Sequence, residues 1–258
     1  MRGSLIHEIL EEFYRGEKKT ERIASLTADD WPRLREFSVN KFREFADKQP
    51  AELYVIWMRE QAKILELLER FFIDDVTHRE NFLPERFEWK FGQPERQVKF
   101  MLDAHQEIYL HGVIDRIDKH PDGCRKILDY KSGGNYNGLK SDNLLQRRAI
   151  QLHLYKHAVE SLLHTPVSGA AYYFMKEASG QRVELTDEAA AATQDELTAV
   201  LRVLNDGMRG GECWAYPEDN ACRNCSVKAA CGQDRFTRKW SNAREQTAAY
   251  RRIREGEA

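Results

Sequence analysis

The chain has 258 residues, of which 40 are Lys or Arg and 42 are Asp or Glu, so its formal net charge is -2. A chain of this length can bury a substantial core in one or two domains. Hydrophobic residues make up 41% and aromatic residues 10%, which excludes gross disorder. No run approaches the ~18 apolar residues that a membrane-spanning helix needs, so we expect no membrane partner.

The cysteines indicate the redox compartment. Three of the five crowd into residues 222–231, whereas a disulfide framework would spread them along the chain. No signal peptide opens the sequence. We therefore expect a reducing, cytoplasmic location.

Apolar periodicity predicts the elements in chain order. Residues 4–14 place their apolar side chains on one stripe and predict a helix. Helices continue through residues 28–79, with a break at Pro50. Near Pro84 the pattern changes to alternation, so residues 87–101 predict a strand. A helix, a short buried strand and another helix are predicted later, at residues 144–164, 170–175 and 187–208. This order predicts an α/β fold with a mixed sheet.

The predicted organisation is one domain over residues 1–258. Its parts are a helical insertion at about residues 20–80, an α/β core at about 84–208 and a Cys-containing, basic segment at 212–258. The sequence either starts a compact domain at Met1 or belongs to a longer polypeptide.

The most informative stretch is a predicted β-hairpin around a Pro-Asp-Gly turn. A symmetric turn pairs Asp115 with Asp129 and Ile117 with Ile127. Side chains alternate between the faces of a strand, and directly opposed residues share a face. Asp115, Asp129 and Lys131 should therefore lie together on one side of an otherwise apolar hairpin.

Two carboxylates this close repel each other unless a cation lies between them. A divalent ion such as Mg²⁺ or Mn²⁺ prefers carboxylate oxygens and would supply that cation. The alternative interpretation is a solvated strand face that carries a weak ion pair, because Asp-x-Lys is common in strands.

Five motifs carry a resemblance to a known family. In chain order they are Arg2-Gly-Ser-Leu-Ile-His7, Gly112-Val-Ile-Asp-Arg-Ile-Asp118, Asp129-Tyr-Lys-Ser-Gly133, Gln151-Leu-His-Leu-Tyr155 and Cys222-x2-Cys225-x5-Cys231. Their types and order resemble the RecB-type branch of the PD-(D/E)XK nuclease superfamily. The resemblance implies a restriction-endonuclease-like mixed β-sheet flanked by helices, with a helical insertion near the N-terminus.

The resemblance also implies roles for individual residues. His7, Asp115 and Asp129 would bind Mg²⁺ or Mn²⁺, helped by the carbonyl oxygen of Tyr130. Lys131 would act with the two acids in catalysis, by orienting a water molecule or stabilising charge on the phosphate. The family often has Glu where this chain has Asp129, and the RecB-type branch has Asp.

Gln151 and Tyr155 lie one helical turn apart and would project together toward the hairpin. The resemblance implies that they position DNA or Lys131. The alternative for both is ordinary packing, because Tyr155 flanks an apolar stripe.

Four other residues are open to two interpretations. Glu88, on the strand before the hairpin, could add a carboxylate to the site. Arg116 faces away from Asp115 and is either structural or a DNA contact. His153 and His157 have the i, i+4 spacing of a zinc pair, but no Glu accompanies them and we expect them on the surface.

The resemblance implies that Cys222, Cys225 and Cys231 bind a [4Fe-4S] cluster, whose fourth cysteine lies upstream of the His7 helix in the family. That fourth ligand is absent from this chain, so the set is incomplete. A local zinc or cluster site completed by Cys213 is the alternative. Cys124 should be free.

Residues 223–254 contain nine Lys or Arg and two acids. This basic segment either contacts a phosphate backbone or is a solvated helix end.

We therefore expect a metal-dependent DNA nuclease, specifically an exonuclease of DNA repair or recombination, with DNA and a helicase domain or subunit as partners. The helical insertion favours the helicase-associated or stand-alone exonucleases of the family over its smaller adaptation nucleases. One alternative is a non-catalytic DNA-binding module of a larger complex. Another is a hydrolase of a different phosphoester.

Overall fold

The computed structural model describes residues 2–46, 54–133, 139–140, 143–145, 149–176, 181–211, 225–226, 248 and 252. The chain separates into two units. The first comprises the described residues of 1–98, 109–141 and 151–189, and the second comprises those of 99–108, 142–150 and 190–258.

The described chain contains six α-helices and seven strands. The helices are α1 (Arg2–Lys19), α2 (Trp31–Ala46), α3 (Tyr54–His78), α4 (Gln151–Leu163), α5 (Asp187–Ala192) and α6 (Gln194–Arg209). The strands are β1 (Leu83–Phe91), β2 (Val98–Met101), β3 (Glu107–Leu110), β4 (Gly112–Lys119), β5 (Arg125–Lys131), β6 (Val167–Phe174) and β7 (Gln181–Thr186). Within the described ranges, no helix combines the length and the apolar character needed to cross a membrane.

Five strands form one mixed sheet in the order β1-β4-β5-β6-β7, and β2 and β3 form a separate pair. The strands β5 and β6 are parallel, and the other neighbours in the large sheet are antiparallel. A parallel pair needs a crossover connection, and α4 lies within this one. The predicted α/β fold with a mixed sheet is confirmed.

Helices α1, α2 and α3 build a core with one face of the sheet. Each presents an apolar stripe at helical spacing, as Ile6, Ile9 and Phe13 of α1 illustrate. The sheet contributes side chains from three strands to the same core: Phe87, Leu128, Tyr130, Ala171 and Tyr173. The other residues of β5 therefore face away from these helices.

In the second unit, helix α6 buries Leu197, Val200 and Leu201 on one side. The Arg202 guanidinium donates a hydrogen bond to the backbone oxygen of Leu102, at 2.5 Å.

Three predicted elements were wrong in extent. The single strand over residues 87–101 is two strands, because Gly92 has φ of +84° and donates its N–H to the carbonyl of Arg96, at 2.8 Å. A side chain at Gly92 would collide with the backbone at Leu110, since its Cβ would lie 2.4 Å from that carbonyl oxygen. The predicted helix over 187–208 is interrupted at Thr193 and forms α5 and α6.

The predicted helix over 144–164 begins only at Gln151. Leu144 and Leu145 are buried and continue the apolar pattern, which explains the premature start. Other observed boundaries differ less from the predicted ones. The first helix is longer than predicted, and β6 begins three residues before the predicted strand. The predicted break at Pro50 lies outside the described residues.

The β4–β5 hairpin has the predicted register. Ile117 pairs with Ile127, and Arg116 pairs with Leu128. Beyond that pair, the Asp115 carboxylate accepts a hydrogen bond from the Tyr130 backbone N–H, at 2.7 Å. At this end of the hairpin, a side chain of β4 is hydrogen-bonded to the backbone of β5.

Arg116 is completely buried on the core face of the sheet. Its guanidinium binds both carboxylate oxygens of Asp118, at 2.5 and 2.7 Å, and lies 2.9 Å from Asp75 of α3. It also stacks over the ring of Tyr14, whose hydroxyl donates to Asp75 at 2.8 Å. A residue without solvent contact does not bind DNA, so the structural interpretation of Arg116 is the correct one.

We predict that Arg116→Met destabilises the fold strongly. Two carboxylates would then remain buried without this cation, and breaking such a buried pair costs about 3–5 kcal/mol. Urea denaturation would measure the change. The control is Lys63→Ala, which removes an exposed pair with Glu60 and should cost about 0.5 kcal/mol or less. Equal losses in the two variants would contradict the prediction.

Candidate active site

The predicted site residues converge where β4 and β5 end. Asp115 comes from β4, and Asp129, Tyr130 and Lys131 come from the end of β5. Helix α1 adds His7, whose Nε2 lies 3.2 Å from the carbonyl oxygen of Tyr130. Residues more than a hundred positions apart in the sequence thus share one small region.

Helix α1 has a glycine where it approaches the end of β5. A Cβ at Gly3 would lie 2.9 Å from the Oγ of Ser132, just after β5. Gly3 and His7 are one helical turn apart and therefore share a face of α1. The Gly-x-x-x-His spacing brings the imidazole to the end of the strand.

His7 lies between two carboxylates. Its Nδ1 is 3.4 Å from an oxygen of Asp115 and 3.5 Å from an oxygen of Glu88. Burial alone would lower the pKa of His7, but hydrogen bonds and charges from Asp115 and Glu88 outweigh it and raise that pKa to about 10. Ligand atoms of these three residues all lie within 4.8 Å of one another, which is a spacing suited to one metal ion.

Glu88 enters the site through an unusual backbone conformation. It lies in the edge strand β1 and has φ of +43°, which a non-glycine residue rarely adopts. Such strain persists only where the surroundings enforce it, and it is common at functional sites. The structure thus places in the site a carboxylate that the sequence left optional.

Asp129 is paired with Lys131 rather than with His7. Its carboxylate is almost fully buried and lies 2.5 Å from the Lys131 ammonium. Burial and the charge of Asp115 raise the pKa of Asp129 to about 6, although Lys131 acts in the opposite direction. The face-sharing predicted for Asp115, Asp129 and Lys131 therefore produces two neighbouring clusters, one around His7 and one around Lys131.

The Gln-x-x-x-Tyr helix reaches Lys131. The side-chain oxygen of Gln151 accepts a hydrogen bond from Lys131, at 3.1 Å, and its amide donates to the hydroxyl of Tyr155, at 2.5 Å. Tyr155 is also packed, since its ring meets that of Phe91 edge-on at 6.1 Å. Packing and contact with Lys131 are therefore combined in one residue pair.

Sequence reasoning missed Tyr172. Its ring lies under the Lys131 ammonium, with Nζ 4.7 Å from the ring centroid. Tyr172 stands in the run of buried residues that forms β6, and no motif distinguishes it from its neighbours. Only the pairing of β5 with β6 brings it to the site.

Some other predicted residues lie elsewhere. His153 is buried, and burial lowers its pKa to about 4, so the expected surface position was wrong. Cys124 is free, as expected. Among the cysteines near the C-terminus, Cys225 is exposed, whereas Cys213, Cys222 and Cys231 lie outside the described residues. Nearly all of the basic segment over 223–254 also lies outside them.

An open groove of about 910 Å³ lies beside His7 and Glu88. Its charged lining is mixed and has as many acids as basic residues: Glu8, Glu11, Glu88 and Glu95, with His7, Arg15, Lys90 and Arg96. Solvent and solutes can therefore reach the imidazole and the Glu88 carboxylate from this side.

We predict a pH dependence of stability that depends on His7. The raised pKa means that protonated His7 stabilises the metal-free protein fully below its unfolded pKa of about 6.5, and that this stabilisation is lost as the pH rises through about 10. Urea denaturation in EDTA at about pH 6 and about pH 9.5 would show a larger loss in the parent than in His7→Gln. Parallel losses in the two proteins would contradict this assignment.

Comparisons with known proteins identify the family of the chain. A family model of the PD-(D/E)XK nuclease superfamily matches residues 1–232. Over 90 residues, the chain is 36% identical to two proteins that are each named as a subunit of an ATP-dependent helicase/deoxyribonuclease, from Streptococcus pyogenes serotype M1 and from serotype M49 strain NZ131. That similarity covers 32% of this chain but only 8% of each relative.

The family match extends over most of the chain and includes every element that carries a site residue described above. The mixed sheet flanked by helices is consistent with the same family. The chain belongs to the PD-(D/E)XK nuclease superfamily and has RecB-like relatives among the helicase/deoxyribonuclease subunits.

Proposed function

We propose that this protein is a divalent-metal-dependent deoxyribonuclease that hydrolyses phosphodiester bonds. The observation that carries the proposal is the grouping of His7, Glu88 and Asp115 beside a lysine that is paired with a third acid, Asp129. Carboxylates alone would repel both each other and a phosphate. A cation between them removes both repulsions.

The donor atoms fit a hard divalent ion. Carboxylate oxygens of Glu88 and Asp115 and the imidazole of His7 lie within reach of one ion, and the Tyr130 carbonyl is beside the imidazole. Asp129 would complete the set from the neighbouring strand. We propose Mg²⁺ or Mn²⁺, because oxygen-rich sites suit these ions. Such an ion would polarise the phosphate and lower the pKa of a bound water molecule.

The residues of the chain have separate roles in this proposal. Lys131 holds its ammonium beside Asp129, where it can orient a water molecule or stabilise negative charge on the phosphate. Gln151 accepts a hydrogen bond from that ammonium and restrains its direction. Tyr155 in turn accepts a hydrogen bond from Gln151 and restrains it. The pair would thus position Lys131, and it would also help to position the DNA.

We propose exonuclease action in DNA repair or recombination, with a helicase domain or subunit as the partner, in the cytoplasm. The names of the Streptococcus pyogenes relatives, which join a helicase to a deoxyribonuclease, support the helicase partner and the DNA substrate. All the described site residues belong to the first unit, within the single nuclease domain proposed for residues 1–258.

A [4Fe-4S] cluster on Cys222, Cys225 and Cys231, with a fourth ligand from outside this sequence, remains part of the proposal. Its support is the cysteine spacing alone. Zinc at the same thiolates is the competing assignment.

We predict that Glu88→Gln weakens metal binding. The change keeps the size of the side chain but removes one ligand charge, and ligand charge sets affinity for hard cations. Isothermal titration of the protein with Mn²⁺ would measure the affinity. The control is Glu85→Gln on the same strand, whose carboxylate is bonded to Arg125 at 3.1 Å and should not affect Mn²⁺ binding. Unchanged affinity in Glu88→Gln would exclude it as a ligand.

We predict that Lys131→Ala reduces DNA cleavage by about 10²–10³-fold, as expected when one preorganised charge contact is lost. End-labelled linear DNA and closed circular DNA would be incubated with Mg²⁺, with Mn²⁺ and with EDTA. The parent should degrade only the linear DNA, and only with metal. Lys126→Ala is the control, because Lys126 lies on the same strand but pairs with the exposed Glu80, at 2.9 Å.

The outcomes separate the candidate functions. Binding of DNA without cleavage under any metal condition would support the non-catalytic module instead. Cleavage of closed circles would replace the exonuclease with an endonuclease. Equal cleavage by the parent and Lys131→Ala would remove the lysine from the mechanism.

A further inference from the structure

We propose that Tyr172 is a positioning residue, whose ring face holds the Lys131 ammonium beside Asp129. This inference rests on the proposed function, because it concerns the lysine assigned there to catalysis. No motif of the sequence includes Tyr172, which lies in the run of buried residues near the end of β6.

The strand pairing places Tyr172 on the same face as the site. Strands β5 and β6 are parallel, with Asp129 opposite Tyr172 and Lys131 opposite Phe174. Opposed residues of neighbouring strands share a face, so the Tyr172 ring stands next to the Asp129 carboxylate. The Lys131 Nζ lies 4.7 Å from the ring centroid, which is within the range of a cation–π interaction.

The ring itself is held firmly. Tyr172 is 3% exposed, and its ring contacts that of Phe174 edge-on at 6.2 Å. Its phenol oxygen is hydrogen-bonded to the backbone of Leu152, in the first turn of α4. Backbone N–H groups in a first turn have no partner within the helix, so the phenol oxygen satisfies one of them.

Lys131 needs such restraint. Its side chain is a flexible four-carbon stem with a compact charge, and it is one-third exposed. Asp129 and Gln151 attract the ammonium by two polar contacts, at 2.5 and 3.1 Å. The aromatic face supplies a third contact, which needs no hydrogen-bond acceptor. Three contacts define a position for the ammonium, whereas two leave it free to swing about the line that joins them.

The next residue, Tyr173, provides a matched control. It is also a buried tyrosine of β6, and the Arg182 guanidinium lies 5.5 Å from the centroid of its ring. Its ring lies on the opposite face, in the core, edge-on to Phe71 at 4.9 Å. Tyr173→Leu therefore removes the same atoms and the same kind of cation–ring contact from a similarly buried position, but away from Lys131.

The experiment compares Tyr172→Leu, Tyr172→Phe and Tyr173→Leu in the full chain, well below the unfolding temperature of each. Steady-state cleavage of linear DNA should show kcat of Tyr172→Leu lower by about 10- to 10²-fold, with KM little changed, because misplacing a reacting group affects the chemical step. Tyr172→Phe keeps the aromatic face and should retain most of kcat. Tyr173→Leu should resemble the parent in kcat despite its lower stability.

A second readout does not depend on activity. Acetic anhydride acetylates lysines according to their accessibility, and mass spectrometry can compare Lys131 with Lys126 within each metal-free protein. The relative acetylation of Lys131 should rise in Tyr172→Leu and stay at the parental level in Tyr172→Phe and Tyr173→Leu.

The results distinguish this inference from the proposed function. If Tyr172→Leu and Tyr173→Leu match in both kcat and acetylation, or if Tyr172→Phe is as impaired as Tyr172→Leu, the ring face does not position Lys131. If the parent does not cleave DNA but the acetylation pattern holds, Tyr172 still positions Lys131 and it is the nuclease assignment that fails.

Discussion

The buried guanidinium of Arg116 is the interaction on which the rest of the structure depends. A charge without water must keep its partners. One of them, Asp118, lies on the same strand β4, and the other two lie on helices: Asp75 on α3 and the ring of Tyr14 on α1. Moving α3 away would remove one of the two carboxylates that compensate this charge, and moving α1 away would remove the ring that covers it. Because α1 also carries His7 and β4 also carries Asp115, the anchor of the fold and the site share the same elements. The site geometry is thereby connected to the stability of the core.

Because side chains alternate between the faces of a strand, the same strands can pack the core with one face and build the site with the other. In β4, Arg116 faces the core, so its neighbour Asp115 faces the site. In β5, the ring of Tyr130 packs edge-on against Phe71 in the core, at 5.1 Å. The backbone N–H and carbonyl of the same Tyr130 contact Asp115 and His7 on the other side. One strand thus supplies core packing with every second side chain and site geometry with its backbone and the remaining side chains.

Cationic side chains within the site offset its acidic groups. The proton on His7 offsets part of the charge of Glu88 and Asp115, and the Lys131 ammonium offsets Asp129. In the proposed function, a divalent ion would replace the proton on His7 in this task, and it would enter through the open groove beside His7. This division explains why the acids can lie close together in a folded chain.

The sequence by itself determined the fold class, the hairpin register and most of the candidate site. Local patterns were enough for these, because the strand period and the turn type follow from neighbouring residues, and the motifs mark His7, Asp115, Asp129, Lys131 and Gln151. The same patterns misjudged the ends of elements. Leu144 and Leu145 continue an apolar period outside the helix, and only the backbone at Gly92 divides one predicted strand into two.

Only the tertiary structure determined which residues distant in sequence are neighbours in space. The charge of Arg116 suggested DNA as readily as a core partner, until α3 placed Asp75 against it. Glu88 and Tyr172 carry no motif, and they reach the site through a strained backbone in an edge strand and through the pairing of β5 with β6. Such contacts join residues distant in sequence, and they depend on strand order and helix placement. A local pattern contains neither, which is why these partners could not be identified before the chain was folded.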